Sequence, residues 1–205
     1  MMHHLPYTPD EHRTGTLKRD TAETQVRLDL DLDGEGRGEI ATGIPFLDHM
    51  LTLLAKHGQF DLRVEATGDL AVDYHHLVED VGIVLGQVLK SALGAPQGIA
   101  RYGHAIVPID EALAMIALDI SGRGFIATEA AFNDAWIRDF DLGLLEEFFR
   151  AFAMNAGITL HIRMLSGVNA HHKAEAAFKG FARALRDATR LDPRVRGVPS
   201  TKGML

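Results

Sequence analysis

The sequence contains no cysteine, which excludes disulfides and thiolate metal sites, so any metal held by its side chains takes nitrogen and oxygen ligands. It contains no apolar run of about 18 residues, the length a membrane-spanning helix needs. Its first residues, MMHHLPYTPDEHRTG, lack the apolar stretch of a signal peptide, and a cytoplasmic location is expected. Positive charge is in deficit as well. The net charge is -7 over 205 residues, the wrong sign for the basic face that nucleic-acid binding requires. Neither a membrane nor a nucleic acid is therefore an expected partner. Hydrophobic residues at 46% and charged residues at 24% give the balance of a globular chain, long enough for one large domain or two small ones.

Histidine is plentiful. Eleven are present, several in pairs, and histidine is both the common nitrogen ligand and the side chain that titrates near neutral pH. Residues 1–15 read as a flexible lead, with His3, His4 and His12 solvated. Val26, Leu28, Leu30 and Leu32 alternate with polar residues, which predicts a half-buried strand over 24–33. A short strand is expected over 39–43. Leu47, Met50, Leu51 and Leu54 recur at helical spacing over 46–56, with Gly58 as the C-cap. A strand over 60–66, an extended piece over 70–72 and a long helix over 75–93 follow, stopped by Gly94 and Pro96.

The second half replays this order. Strands are expected over 113–120 and 125–131, a helix over 144–155 ended by Gly157, a strand over 158–164 and a helix over 171–191. HHLVE at 75–79 answers HHKAE at 171–175, and KHGQFDL at 56–62 answers 154–160, with Gly58 set against Gly157. The chain reads as an internal duplication of two α+β repeats, each a sheet backed by two helices: 16–95 and 96–192, then a tail over 193–205.

The duplicated HHxxE carries the chemistry. Residues four apart share a helix face, so His75 can converge with Glu79, and His171 with Glu175, on one ion. His76 and His172 point about 100° away and would serve a different metal. Imidazole plus carboxylate suits manganese, iron or zinc with open positions. Solvated helix ends would not account for the same triplet recurring at the same place. His49 and His161 are further ligand candidates. His57 suits a helix C-terminus as a cation, and His104 reads as an ordinary strand or loop histidine. Arg101, Arg123 in SGRGF, Lys179 and the tail Ser200-Thr201-Lys202 provide guanidinium, ammonium and hydroxyl donors for a phosphate.

The segments RDTAET, GIPFLDHMLTLLAKHGQFDL, GDLAVDYHHLVEDVGIVLGQ, GIARYGHAIVPIDEALA, LDISGRGF, GVNAHHKAEAAFKGFARAL and VPSTKG, in this order, resemble the imidazoleglycerol-phosphate dehydratase family from about Arg19 onward. The resemblance implies two repeats of the ribosomal protein S5 domain 2-like type. It implies two manganese ions per active site, with ligands falling on His49, His75, His76, Glu79, His161, His171, His172 and Glu175, drawn from neighbouring subunits of a 24-subunit shell built from trimers. It places phosphate contacts on Arg101, Arg123, Lys179, Ser200 and Lys202, and the acid/base glutamate on Glu23. Glu175 and His49 are the other catalytic candidates, and His57 and Thr201 the other substrate contacts. Nothing before residue 19 is long enough for the phosphatase domain fused to some members, so a monofunctional chain is expected.

The implied reaction removes water from imidazole glycerol phosphate. The proton to be lost lies on a side-chain carbon near the imidazole ring, with no carbonyl to acidify it. Two metal ions on the ring nitrogens would offset the charge that develops, and Glu23 would take the proton. A dinuclear phosphatase on the same ligands is an alternative that predicts release of inorganic phosphate. A metal-storage shell is another, predicting metal binding without a ketone product.

Overall fold

The computed structural model describes residues 12–130, 132 and 135–203. Two halves share one architecture. The first runs β1 (Thr14–Asp20), β2 (Thr24–Asp31), β3 (Gly38–Ala41), α1 (Pro45–Gly58), β4 (Asp61–Gly68), α2 (His75–Leu93). The second runs β5 (Tyr102–Ile109), β6 (Ala112–Asp119), β7 (Phe125–Glu129), a small hairpin of β8 (Trp136–Ile137) and β9 (Phe140–Asp141), α3 (Leu144–Ala156), β10 (Thr159–Ser166), α4 (Ala170–Thr189). The sheets are ordered β1-β2-β4-β3 and β5-β6-β10-β7. In each, the first three strands in the order are antiparallel and the last pair, joined through a helix, is parallel. The duplication and the α+β class are both present.

Period-two alternation decides which face of each sheet is covered. Val26, Leu28 and Leu30 pair with Ala66, Val64 and Leu62, and all point into the core. Ile116 and Leu118 do the same against Ile162 and Leu160. α2 lies on the first sheet and α4 on the second. α3 packs along α2 and α1 along α4, so each half buries its helices against its own sheet and against the other half. One hydrophobic cluster spans both halves. Its densest part is aromatic, with Phe149 set 4.9 Å from Phe178 and Phe152 set 5.0 Å from Phe181, ring centroid to centroid. The α2–α3 contact relies on small residues. A Cβ at Gly82 would meet Phe148 O at 2.7 Å, and one at Gly86 would meet Phe152 O at 2.6 Å.

Several expectations are corrected. A strand was not anticipated over 14–20 or 102–109, yet β1 and β5 edge their sheets. β1 begins at Thr14, inside the expected lead, of which residues 1–11 lie outside the described residues. His12 is exposed but not merely solvated, since Nδ1 lies 2.5 Å from Asp31 Oδ2. Residues 70–72 form a turn closed by Val72 N–H donating to Asp69 O, rather than an extended piece. Gly58 is the last residue of α1, not its cap. Gln59 takes the left-handed conformation (φ 58°) that Gly157 takes after α3 (φ 70°), so Gln59 and Gly157 are the true counterparts. In the described part of the tail, 193–203, Gly98 N–H donates to Gly197 O (2.9 Å) and Arg101 Nη1 to Pro199 O (2.8 Å).

Candidate functional site

The two HHxxE motifs open α2 and α4. Asp73 Oδ1 accepts the His75 N–H at 2.8 Å, and Asn169 Oδ1 accepts those of His171 (2.9 Å) and His172 (3.3 Å), so equivalent positions brace both helix starts, although Asn169 is an N-cap residue and Asp73 stands one residue before its helix's N-cap, Tyr74. In α4, Glu175 reaches back one turn to His171, with Nε2 3.1 Å from Oε1. The same oxygen lies 2.7 Å from His49 Nε2 on α1. His49, His171 and Glu175 therefore converge, their ligand atoms all within 4.8 Å of one another. Two imidazole nitrogens and a carboxylate oxygen fit manganese, iron or zinc. Glu175 Oε2 accepts from Lys179 Nζ at 2.7 Å. Burial pushes the Glu175 carboxyl up, but hydrogen bonds from Lys179, His49 and His171 outweigh it and hold the pKa at about 2.

The first motif is more open. His75 Nε2 stands 4.0 Å from Glu79 Oε2. Arg150 on α3 bridges Glu79, at 3.5 Å, and Glu147. Glu147 precedes the cap Gly157 by the same interval as His49 precedes the cap Gln59, so it is the counterpart of His49 beside the other motif. Its residue type carries no such signal in the sequence; its place in the repeat, counted from the caps, does. Two cavities flank the motifs. One of about 310 Å³ lies beside His49 and His171 and is walled by Phe46, Ile137 and Phe140. The other, about 440 Å³, lies beside His75 and is walled by Tyr74, Trp136 and Asp141. Asp139, in the β8–β9 turn, borders both and accepts from Tyr74 Oη at 2.6 Å.

Glu23 sits in the β1–β2 turn. Thr21 Oγ1 accepts its N–H at 3.1 Å, and its carbonyl accepts from Asp69 N–H, also at 3.1 Å. Thr24 donates to the buried Asp80 on α2, which also accepts from Arg19 Nη1 at 2.7 Å. This latch holds the turn against α2, and Glu23 Oε2 lies 3.9 Å from His76 Nδ1.

The anion-binding candidates divide. Arg101 forks onto Asp119 at 2.7 and 3.1 Å and reaches the tail at Pro199 O. Arg123 Nη1 donates to Ser121 O at 3.3 Å, two residues past Asp119. Ser200 Oγ accepts the Lys202 N–H at 3.2 Å, while the Thr201 and Lys202 side chains are exposed. Arg101 N–H donates to Ala188 O, placing this group at the C-terminal end of α4. Lys179 lies instead with Glu175, towards the other end. Against the cation expected at His57, burial, with Lys179 and Arg183 near, pushes its imidazole down. His161 and His104 are exposed on the outer face of the second sheet, each register-paired with Ala117. The structure does not bring His161 to the cluster within one chain.

A profile of the family described as imidazoleglycerol-phosphate dehydratase matches residues 42–185. The chain belongs to the imidazoleglycerol-phosphate dehydratase family. Membership makes it an enzyme, a dehydratase and lyase of histidine biosynthesis. The family's enzyme from Desulforamulus reducens is 55% identical over 194 residues, covering 95% of this chain and 99% of that protein. The one from Xanthobacter autotrophicus is 57% identical over 194 residues, covering 94% and 98%. Among solved structures, imidazoleglycerol-phosphate dehydratase from Staphylococcus aureus superposes with a TM-score of 0.79 at 39% identity, covering 87% of this chain and 99% of that one. The Pyrococcus furiosus enzyme gives 0.80 at 42%, covering 92% and 100%. Among the described residues, no helix is long and apolar enough to cross a membrane.

Proposed function

We propose that the protein dehydrates imidazole glycerol phosphate to imidazole acetol phosphate in the cytoplasm, using two Mn²⁺ ions at sites completed by neighbouring subunits. The observation that carries this is the convergence of His49, His171 and Glu175 at the start of α4, with Arg101, Arg123 and the Ser200–Lys202 segment gathered at its far end. From His171 to Thr189 the helix rises about 27 Å. No phosphorylated three-carbon chain on an imidazole spans that distance. Both groups can act on one substrate only if the phosphate end of one subunit meets the cluster end of another. A closed assembly of about 24 copies built from trimers, as the family resemblance implies, supplies such contacts.

His49, His171 and Glu175 would hold one ion. His75 and Glu79 would begin the second site, with His76, His172 and His161 as the remaining candidates. When bound, manganese supplies Lewis acidity where the ring nitrogens gain charge. Glu23 accepts the proton from the second side-chain carbon, the one that keeps its hydroxyl. The hydroxyl on the carbon attached to the ring leaves as water, and the enol so formed tautomerises to the ketone. Arg101, Arg123, Lys179, Ser200 and Lys202 bind the phosphate, and this remote binding energy fixes the ring against the base. The partly enclosed cavities beside His49 and His75 give the ring a wall of aromatic side chains.

The test is to incubate the protein with imidazole glycerol phosphate and Mn²⁺ and follow the ultraviolet absorbance of the enolised product. Formation of that product is expected. Inorganic phosphate without ketone would instead assign a phosphatase, and bound manganese with neither product a storage protein.

A further inference from the structure

The second histidine of each pair has a carboxylate behind it. His172 Nδ1 lies 2.8 Å from Glu111 Oε2, and His76 Nδ1 lies 3.0 Å from Asp69 Oδ2. An ionised carboxylate only accepts hydrogen bonds, so in each pair Nδ1 carries the proton and donates it. Nε2 then keeps its lone pair. His172 Nε2 is 3.9 Å from Asp110 Oδ2, beyond hydrogen-bond range. We infer that Asp69 and Glu111 are positioning residues that fix His76 and His172 in the Nδ1–H tautomer, with Nε2 presented for a metal ion. This rests on the metal-binding reading above.

The two carboxylates are not each other's counterparts in the duplication. By strand register the counterpart of Asp69 is Gly167, and that of Glu111 is Glu23 in the β1–β2 turn, whose Oε2 stands 3.9 Å from His76 Nδ1 while Asp69 makes the bond. Asp69 follows β4, whereas Glu111 lies in the β5–β6 turn, next to Asp110 with φ 45°. Two unrelated positions deliver the same bond to equivalent histidines. A shared chemical demand accounts for that, because the hydrogen bond on one ring nitrogen sets which nitrogen can bind metal. Among the described residues the first histidine of each pair shows no such partner and instead turns Nε2 towards the glutamate one turn on.

Glu111 also braces the loop before α4, its Oε1 accepting from Val168 N–H (3.1 Å) and Asn169 N–H (2.7 Å). Glu111→Gln separates the two duties. The amide oxygen can keep both backbone bonds, while the amide nitrogen then faces His172 Nδ1, demands its lone pair and drives the proton to Nε2. Asp69→Ala removes the other partner outright.

The experiment measures Mn²⁺ binding to metal-free full-length protein by the electron paramagnetic resonance signal of free Mn²⁺, with thermal melting of the metal-free forms alongside. Wild type is expected to bind two ions per chain. In each variant one ion is expected to bind about 10–100-fold more weakly, with the other unchanged, and Glu111→Gln is expected to melt with the wild type. Wild type that binds no manganese would overturn the metal reading itself. Wild type that binds, with folded Glu111→Gln binding equally tightly, would overturn this assignment alone, whatever Asp69→Ala does.

Discussion

Glu175 Oε1 on the last helix lies 2.7 Å from His49 Nε2 on the first, so a single carboxylate oxygen ties the two halves together at the chemical site. Exhaustive chelation is therefore expected to abolish dehydration, with Mn²⁺ restoring it. Glu175→Gln is expected to lose tight binding of one ion together with activity. Full turnover by metal-stripped protein would sink the metal reading.

Glu23 reaches the site from a turn latched to Asp80 and belongs to neither HHxxE motif. Glu23→Gln is expected to lower kcat by about 10²–10⁴-fold, the usual worth of a general base. Mn²⁺ affinity should stay at the wild-type value. A fall of less than about tenfold would remove Glu23 from that role.

Arg101 presents its guanidinium beside the tail, already oriented by Asp119. Arg101→Lys keeps the charge but loses the fork. A loss of about 10–100-fold in kcat/KM is expected, the worth of one or two charged hydrogen bonds to phosphate. Steady-state kinetics would show it, and the loss should shrink when the substrate lacks its phosphate.

Asp33 holds Arg13 by two side-chain bonds of 2.6 and 2.9 Å, and Arg13 donates onward to Thr189 O at 2.6 Å, stitching β1 to the end of α4. Burial pushes the Asp33 carboxyl up, but the bonds from Arg13 outweigh it and the pKa lies below its ordinary 3.8. A carboxyl depressed in the folded state stabilises above its unfolded pKa and loses that contribution as pH falls through the folded value. Asp33→Asn is expected to cost about 1 kcal/mol at pH 7, a figure reduced for solvent screening. The gap from wild type should close below about pH 4. Chemical denaturation at pH 7 and pH 3 would check it; an equal gap at both would argue against the ion pair.

Gly103 on β5 and Gly15 on β1 sit beneath the long helices of their sheets. A Cβ on Gly103 would lie 1.8 Å from Ala184 O, and one on Gly15 2.6 Å from Val88 O. Gly103→Ala is expected to destabilise by about 3 kcal/mol, at the upper end of overpacking costs. Gly38→Ala, where the nearest atom would be 3.4 Å away, should stay within about 0.5 kcal/mol. Thermal melts of the two variants would rank them.

These glycines also show where the sequence is hard to read. β2, β6 and the four helices announce themselves through runs of large apolar residues at period two or 3.6. β1 and β5 do not, because their inward positions include Gly15, Gly103 and Ala105, chosen for closeness to a helix rather than for apolar bulk. β8 and β9, two residues each, are shorter than any period. The histidine pairs and their glutamates were legible because one turn of helix brings them together. The role of Glu23 came from the family resemblance, since nothing in its local pattern singles it out. Glu111 was hidden because it meets a histidine 61 residues away. Glu147 was hidden because a ligand search favours histidine, whereas only its place in the repeat connects it with His49.

Helices packed crosswise between the halves have a consequence for how such a chain can diversify. Two identical single-repeat proteins joined in this manner would be bound to carry the same side chain at both positions related by their twofold axis. Covalent tandem fusion lifts that obligation, and each end can then be altered without disturbing its twin. His49 opposite Glu147 is a place where this freedom has been exercised, giving the two ends of one molecule unlike donor atoms.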